Sequence, residues 1–258
     1  MIPKKIHYCW FGYGQKPPLA LRCINSWHKY CPDYEIVEWN ENNFDLASAP
    51  LYVRQAYENK KWAFVTDYVR LRVVFNYGGI YLDTDVELIK SVDFLLNYNA
   101  FFGFEDSNYV ATGLGFGAVK GNQIISRLMD DYSYIPFILP DGSFNIITCP
   151  IQNTATLKLY GLVTDNTFQI INDNVAIFPS QYFCPLSYYT GKMKKTSDTV
   201  SIHWYSASWL SEEKRKKHNK RVRKNRLLRP IKDAVKLVLG KRLSSALKKK
   251  VYGEEKND

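Results

Sequence analysis

The stretch Ala63–Glu87 constrains this chain most, because a helix pattern, a glycine stop, an apolar run and two acids follow one another directly. Residues 61–77 read as a helix. Gly78-Gly79 ends it, since glycine takes the left-handed conformation that closes a helix. Ile80-Tyr81-Leu82 is an apolar run of the kind that forms a buried strand. Alternate side chains of a strand share a face, so Asp83 and Asp85 are expected to point the same way, as are Tyr81 and Glu87. Two like charges buried together are costly unless a cation or a ligand neutralises them. A hard divalent ion, Mg²⁺ or Mn²⁺, accepts carboxylate oxygens and keeps positions free for phosphate oxygens. A bare D-x-D is otherwise a solvated acid pair in a turn. Asp67 and Arg70 stand three apart on one helix face. They read either as a surface ion pair worth little or as a fixed polar pair at a ligand crevice near the end of a central strand.

The flanking pattern is α/β. Residues 5–11 read as an aromatic-rich first strand. Pro17-Pro18 open a helix with Ala20, Ile24 and Trp27 at helical spacing, and 34–39 is a second strand. Strand, helix and strand within about forty residues make a βαβ unit, which predicts a sheet that starts parallel and stays mainly so. His7, Tyr8 and Trp10 fall at the ligand edge, where an aromatic ring stacks on a nucleotide base, or in the core. Downstream the pattern predicts helices over 50–60 and 121–134, a strand over 100–104, and a glycine-alternating strand over 112–118. Glycines in that last strand admit a ligand to the backbone, or mark a sheet bend. Ile124, Ile125, Leu128 and Met129 read as core. Thr148 precedes a helix starting near Gln152, as its cap or, with Gln152 and Asn153, on an acceptor side. Two short strands fit within 166–184, and the last strand, 200–204, carries His203, one of four histidines. A lone strand histidine is ordinarily a hydrogen-bonded core residue.

The joined pattern Phe64-Val65-Thr66-Asp67-Tyr68-Val69-Arg70 to Gly78-Gly79-Ile80-Tyr81-Leu82-Asp83-Thr84-Asp85 resembles glycosyltransferase family 32. That family includes yeast mannosyltransferases and many bacterial capsule and polysaccharide enzymes, with the clostridial glucosylating toxins as distant relatives. The opening Ile2–Gly12 and the late His203–Trp209 resemble it too, so the likeness spans residues 1–210. The resemblance implies an A-type glycosyltransferase fold, a Rossmann-like nucleotide-binding sheet flanked by helices. It implies a retaining enzyme that moves a sugar from a nucleotide-sugar, a UDP-sugar by preference, to a glycan or lipid-linked saccharide in surface polysaccharide synthesis. Catalytic roles fall to Asp67 and Arg70, which orient the donor sugar, and to Asp83 and Asp85. Asp85 holds a metal, Asp83 contacts ribose or metal, and His203 completes the metal and diphosphate site. Imidazole favours Mn²⁺ over Mg²⁺. The likeness further implies nucleotide contacts from His7, Tyr8 and Trp10, and sugar, acceptor or diphosphate contacts from Glu105, Asp106, Thr112, Gln152, Ser208 and Trp209.

Charge divides the chain. Residues 212–258 hold 18 Lys+Arg and 6 Asp+Glu, leaving 17 basic and 19 acidic residues in 1–211. The net charge of +10 is therefore a property of the tail. We expect a catalytic domain over 1–211 and a basic tail over 212–258. In the tail, Pro230 opens an amphipathic helix with Ile231, Ala234, Val235, Val238 and Leu239 on one side. That pattern suits an anionic membrane surface, a solvated charged tail, or a helix docked on the protein. No base-reading motif accompanies the charge, so nucleic acid is not expected. No run of about 18 apolar residues predicts a membrane span, and the N-terminus opens on a strand pattern without a signal-peptide core. Five cysteines without C-x-x-C spacing suggest reduced thiols. Together these place the expected protein in the cytoplasm, peripheral on the inner face of the membrane if the tail binds there. The competing readings are a binding protein that has lost turnover, a toxin-like transferase acting on a host protein, and a nucleotide-sugar hydrolase. The presence of all the expected acids argues against the first, and the absence of secretion signals and delivery domains against the second.

Overall fold

The computed structural model describes residues 1–106, 108–206, 212–218, 220–225 and 227–228. The chain divides into two compact units, Met1–Leu186 with Met193–Trp209, and Ser187–Lys192 with Leu210–Asp258.

The first unit opens with the βαβ arrangement. Strand β1 (Lys5–Cys9) leads to helix α1 (Pro18–Tyr30), whose first position is a proline that needs no N–H partner there. Strand β2 (Glu35–Trp39) then pairs parallel to β1. Helices α2 (Leu51–Glu58) and α3 (Trp62–Tyr77) follow. Apolar residues surround α3, and it is buried on most sides, as such a helix must be. It stops at Gly78, with φ of 66°, and Gly79, with φ of 112°, values that L side chains rarely adopt. The turn delivers the chain into β3 (Gly79–Tyr81), parallel to β1.

Strand β3 ends at Tyr81, earlier than expected, so Asp83 and Asp85 lie in the turn before β4 (Val86–Leu88) rather than on a strand. A turn bond from Val86 N to Asp83 O (2.9 Å) shapes this bend. Next come β5 (Ala100–Gly103), β6 (Phe116–Ala118), α4 (Gln123–Asp130), α5 (Cys149–Lys158), β7 (Gln169–Ile171), β8 (Val175–Phe178) and β9 (Ser201–His203). The expected glycine-alternating strand resolves into a 3₁₀ turn, Thr112–Leu114, followed by β6. Gly115, with φ of 123°, turns the chain between the two and breaks the strand there.

The main sheet has the order β2-β1-β3-β6-β5-β8-β7. Five of its seven strands run in one direction, and β6 and β7 oppose them. Helices α2 to α4 cover one face, where Val65, Leu71, Phe102 and Phe116 pack; α1 covers the other, where Trp27, Ile80 and Phe101 pack. A second, two-stranded sheet joins β4 to β9 antiparallel and sets Val86 opposite His203. The indole N–H of Trp27 donates to Val86 O (2.8 Å) and ties α1 to this ribbon. All five cysteines are free thiols. No helix among the described residues is long and apolar enough to cross a membrane.

In the second unit, residues 187–192 form a tight loop closed by Gly191 N to Ser187 O (2.8 Å). Residues 212–218 and 220–225 are helical. His218 stacks on Tyr188 with ring centroids 4.1 Å apart, while Lys214–Lys217, Lys220, Arg221, Arg223 and Lys224 stand exposed. The expected amphipathic helix after Pro230 lies outside the described residues.

Candidate active site

Parallel pairing brings the C-terminal ends of β1, β2 and β3 to one edge of the sheet, and two polar groups meet beyond it. The first centres on Arg70, which α3 carries deep into the protein with a side chain only 4% exposed. Its guanidinium ion-pairs with Asp67 (Nη2–Oδ1, 3.1 Å) and Asp83 (Nη2–Oδ1, 3.3 Å). It also donates to Thr66 O (3.1 Å), Thr66 Oγ1 (3.2 Å), Thr112 Oγ1 (3.4 Å) and Cys149 Sγ (3.7 Å). A buried guanidinium needs this many acceptors to offset the water it has lost. Asn153 donates to the same Thr112 oxygen (3.1 Å), and Tyr81 OH donates to Asp83 Oδ1 (2.9 Å). Burial pushes the Asp67 carboxyl up to about 6 against the opposing pull of Arg70, with Asp83 adding to the rise. Burial likewise raises Asp83, Arg70 opposes it, and the neighbouring Asp85 charge adds to the rise.

The second group is built on the β4–β9 ribbon. His203 Nε2 meets Asp85 Oδ1 at 3.2 Å, and Ser206 N–H donates to Asp85 Oδ2 (2.7 Å). Burial alone would raise the Asp85 carboxyl, but the His203 imidazolium and the Ser206 bonds outweigh it and hold it below the ordinary value. In return, Asp85 overrides burial and raises His203 well above its ordinary value. Tyr205, at a left-handed φ of 53°, packs its ring 4.2 Å from that of His203 and shares a hydrogen bond with Cys184 Sγ (2.8 Å).

Asp83, Asp85 and His203 each offer one ligand atom, all within 4.8 Å of one another. Two carboxylates and an imidazole form a donor set for a divalent ion of the Mn²⁺ type. The raised Asp83 beside the charged Asp85 shows the like-charge tension that such an ion relieves. Imidazole must give up its proton to serve as a ligand. These residues therefore fit a metal.

The other sequence candidates divide. Thr112 is fully buried and braces Arg70. Gln152 Oε1 is buried without a hydrogen-bond partner among the described residues. Glu105 is half-buried, and both His203 and a hydrogen bond from Tyr205 act on its carboxyl against the rise that burial causes. Trp10 stands half-buried past the end of β1, its indole N–H on Gly14 O (2.6 Å).

Three of the candidates are held by partners within the protein. His7 spends both ring nitrogens in the core, Nε2 on Gly78 O (2.8 Å) and Nδ1 accepting from Trp39 (3.1 Å), so it offers no atom to a nucleotide. Tyr8 is buried edge-on against Trp27 with its hydroxyl on Glu38 (2.6 Å), which leaves no open ring face for stacking. Asp106 accepts from Asn108 N (2.7 Å) and Tyr109 N (3.1 Å), the bonds of a turn residue. Thr148 occupies the cap position of α5 but makes no side-chain cap bond. Ser208 and Trp209 lie outside the described residues. Cys149, which accepts from Arg70, carries no local sequence pattern that marks it as a site residue.

Residues 17–102 match the family described as the glycosyltransferase sugar-binding region containing the DXD motif. The chain is 27% identical over 168 residues to subversion of eukaryotic traffic protein A of Legionella pneumophila, covering 52% of this chain and 26% of that protein. It is 29% identical over 148 residues to inositol phosphoceramide mannosyltransferase 3 of Schizosaccharomyces pombe, covering 56% and 39%. With the uncharacterized glycosyltransferase L373 of Acanthamoeba polyphaga mimivirus it shares 23% identity over 220 residues, covering 81% and 84%. The alignments with the first two relatives thus span about a quarter and two-fifths of their lengths. The solved structure of the PaToxG glycosyltransferase is 19% identical, with a TM-score of 0.49, covering 61% of this chain and 69% of that one.

Proposed function

We propose, from the premise that this chain is a glycosyltransferase of the DXD-containing type, that it is a metal-dependent, retaining enzyme using a nucleotide-sugar, by preference a UDP-sugar. The acceptor is a glycan or lipid-linked saccharide of a surface polysaccharide. The observation that carries this reading is the convergence of Asp83, Asp85 and His203 beside the Arg70 cluster. Asp85, Asp83 and His203 would hold the metal, which when bound supplies positive charge against the leaving diphosphate. Arg70, fixed by Asp67, Asp83, Thr66 and Thr112, directs its charge to the same site and orients the donor sugar. Because these partners are already in place, no reorganisation cost is added during the reaction. In a retaining, front-face transfer the acceptor hydroxyl gives its proton to the leaving phosphate, so no separate base is required of the chain.

A donor panel tests this. Purified protein with Mn²⁺ is offered UDP- and GDP-sugars, and released nucleoside diphosphate is measured with and without chelator. Slow, metal-dependent release from one donor is expected. Release that chelator leaves untouched would overturn the metal role. A second reading, transfer to a host protein, draws on the likeness to the Legionella protein; the acceptor labelled by the active donor separates the two.

For 212–258 we propose contact with the anionic inner face of a cytoplasmic membrane, which would bring the catalytic domain to a lipid-linked acceptor. Eight exposed basic side chains among 214–224 support it, each contributing about 1 kcal/mol near such a surface. Changing Lys214, Lys217, Lys220 and Lys224 to Gln should sharply reduce pelleting with phosphatidylserine vesicles at low salt. Unchanged pelleting would end the proposal.

A further inference from the structure

The 3₁₀ turn Thr112–Leu114 presents Gly113 to the polar cluster, buried and without a side chain. A Cβ at that position would stand 2.6 Å from Asp83 Oδ2 and 3.3 Å from Arg70 Nη1. Real Cβ atoms essentially never come within 3.0 Å of another heavy atom, so something would have to shift. The backbone is not the obstacle, because Gly113 does not have the left-handed φ of Gly78 or Gly115. An alanine could adopt the local conformation; it lacks the space.

Asp83 cannot yield that space freely. Its Oδ1 receives both the Tyr81 hydroxyl and the Arg70 guanidinium. Arg70 in turn is fixed by Asp67, Thr66 and Thr112. With both bonds on Oδ1, Oδ2 is the oxygen left to face Gly113. Asp83 is also the most exposed acid of the group, its side chain 26% exposed against 11% for Asp67 and 12% for Asp85. Oδ2, which carries neither of those two bonds, is the oxygen left to meet a ligand.

We propose that Gly113 is a positioning residue of the donor site. Its bare backbone sets the rotation of the Asp83 carboxylate, so that Oδ1 stays on Tyr81 and Arg70 while Oδ2 is presented to a divalent cation. The proposal rests on the nucleotide-sugar reading above for the identity of the ligand, but not for the coupling between the two residues. Thr112 supports the device from the preceding position, since its hydroxyl is pinned by Arg70 and Asn153.

A double-mutant cycle in the full chain tests it, with wild type, Gly113→Ala, Asp83→Ala and the pair. Two quantities are read for each protein, the thermal midpoint and the affinity for UDP in saturating Mn²⁺. Gly113→Ala is expected to weaken UDP binding about ten-fold, or ~1.4 kcal/mol, within the range of coupling between contacting residues. It should also lower the midpoint. In the Asp83→Ala background, where only the looser 3.3 Å approach to Arg70 Nη1 remains, the same change should do much less of either. Asp83→Asn keeps the shape without the charge and should retain the coupling in the midpoint. Equal effects of Gly113→Ala with and without Asp83, or no effect in either, would overturn the proposal. If wild type binds no UDP, the donor reading fails, yet the midpoints still measure the coupling.

Discussion

Replacing Arg70 with methionine is expected to lower stability by about 3–5 kcal/mol, the cost of leaving a buried charge cluster without its partner. Methionine keeps most of the length and removes only the cation. Asp67 and Asp83 would then face each other in a buried site, and Thr112 Oγ1 would lose one of its two donors. The loss should grow with pH. Asp67 already has a folded-state value of about 6, above the ordinary 3.8, because burial outweighs Arg70. Between those values the folded protein binds more protons than the unfolded chain, so stability falls as pH rises across that window. Every tenfold difference in proton affinity between the folded and unfolded chain corresponds to about 1.4 kcal/mol. Without Arg70 both carboxyls rise further, and the decline should continue above pH 6 instead of levelling off. Asp67→Asn should flatten the wild-type slope. Thermal midpoints from pH 4 to pH 8 check all three proteins; an Arg70→Met curve parallel to wild type would contradict the account.

Asp85→Asn is expected to reduce metal-dependent donor turnover by about 10²–10³-fold, on the scale seen when one preorganised charge-stabilising group is removed. The fold should survive better than in the arginine variant, since asparagine keeps an oxygen for Ser206 N–H. Two further signs identify the mechanism. His203, whose value is raised by Asp85, should lose its extra affinity for a proton, and an NMR titration of the histidines would show it. Wild-type stability also carries an Asp85 contribution of the opposite sign to that of Asp67. Its carboxyl is held below the ordinary value, so the contribution is present above about pH 4 and is lost as pH falls. Asp85→Asn should remove that acid-side loss. Full turnover in the variant would eliminate Asp85 as the centre of the charge-stabilising group.

Much of this site is legible in the sequence because it is nearly continuous there. Asp67, Arg70, Gly78, Gly79, Asp83 and Asp85 lie within one helix–stop–strand unit, so spacing brings them near one another, and the family resemblance favours a joined site over a surface ion pair and a solvated turn. Strand alternation is nonetheless the wrong reason for the D-x-D geometry. The acids converge through a turn that separates β3 from β4. Periodicity cannot tell a short strand that stops at Tyr81 from one that continues. His7 misleads for a related reason: an aromatic-rich strand end looks the same whether its rings face a ligand or, as here, Gly78 and Trp39. Cys149 is invisible in the sequence as a site residue because its partner Arg70 is distant along the chain. Gly113 lies in a glycine run that reads as open to a ligand, but its approach to Asp83 arises from packing alone.

The β4–β9 ribbon has a consequence for the order in which the molecule is made. Asp85 meets its Ser206 partner across 121 positions, whereas the Arg70 cluster closes with Thr112 and Cys149 across 42 and 79. Chain emerges from a ribosome N-terminus first, and pairings between distant segments carry the larger loop-closure cost. The arginine half can therefore assemble on a nascent chain while Asp85 still waits for His203 and Ser206. Asp85 gains its two partners only after the last strand has docked, so the two halves of the site are completed at different stages of synthesis.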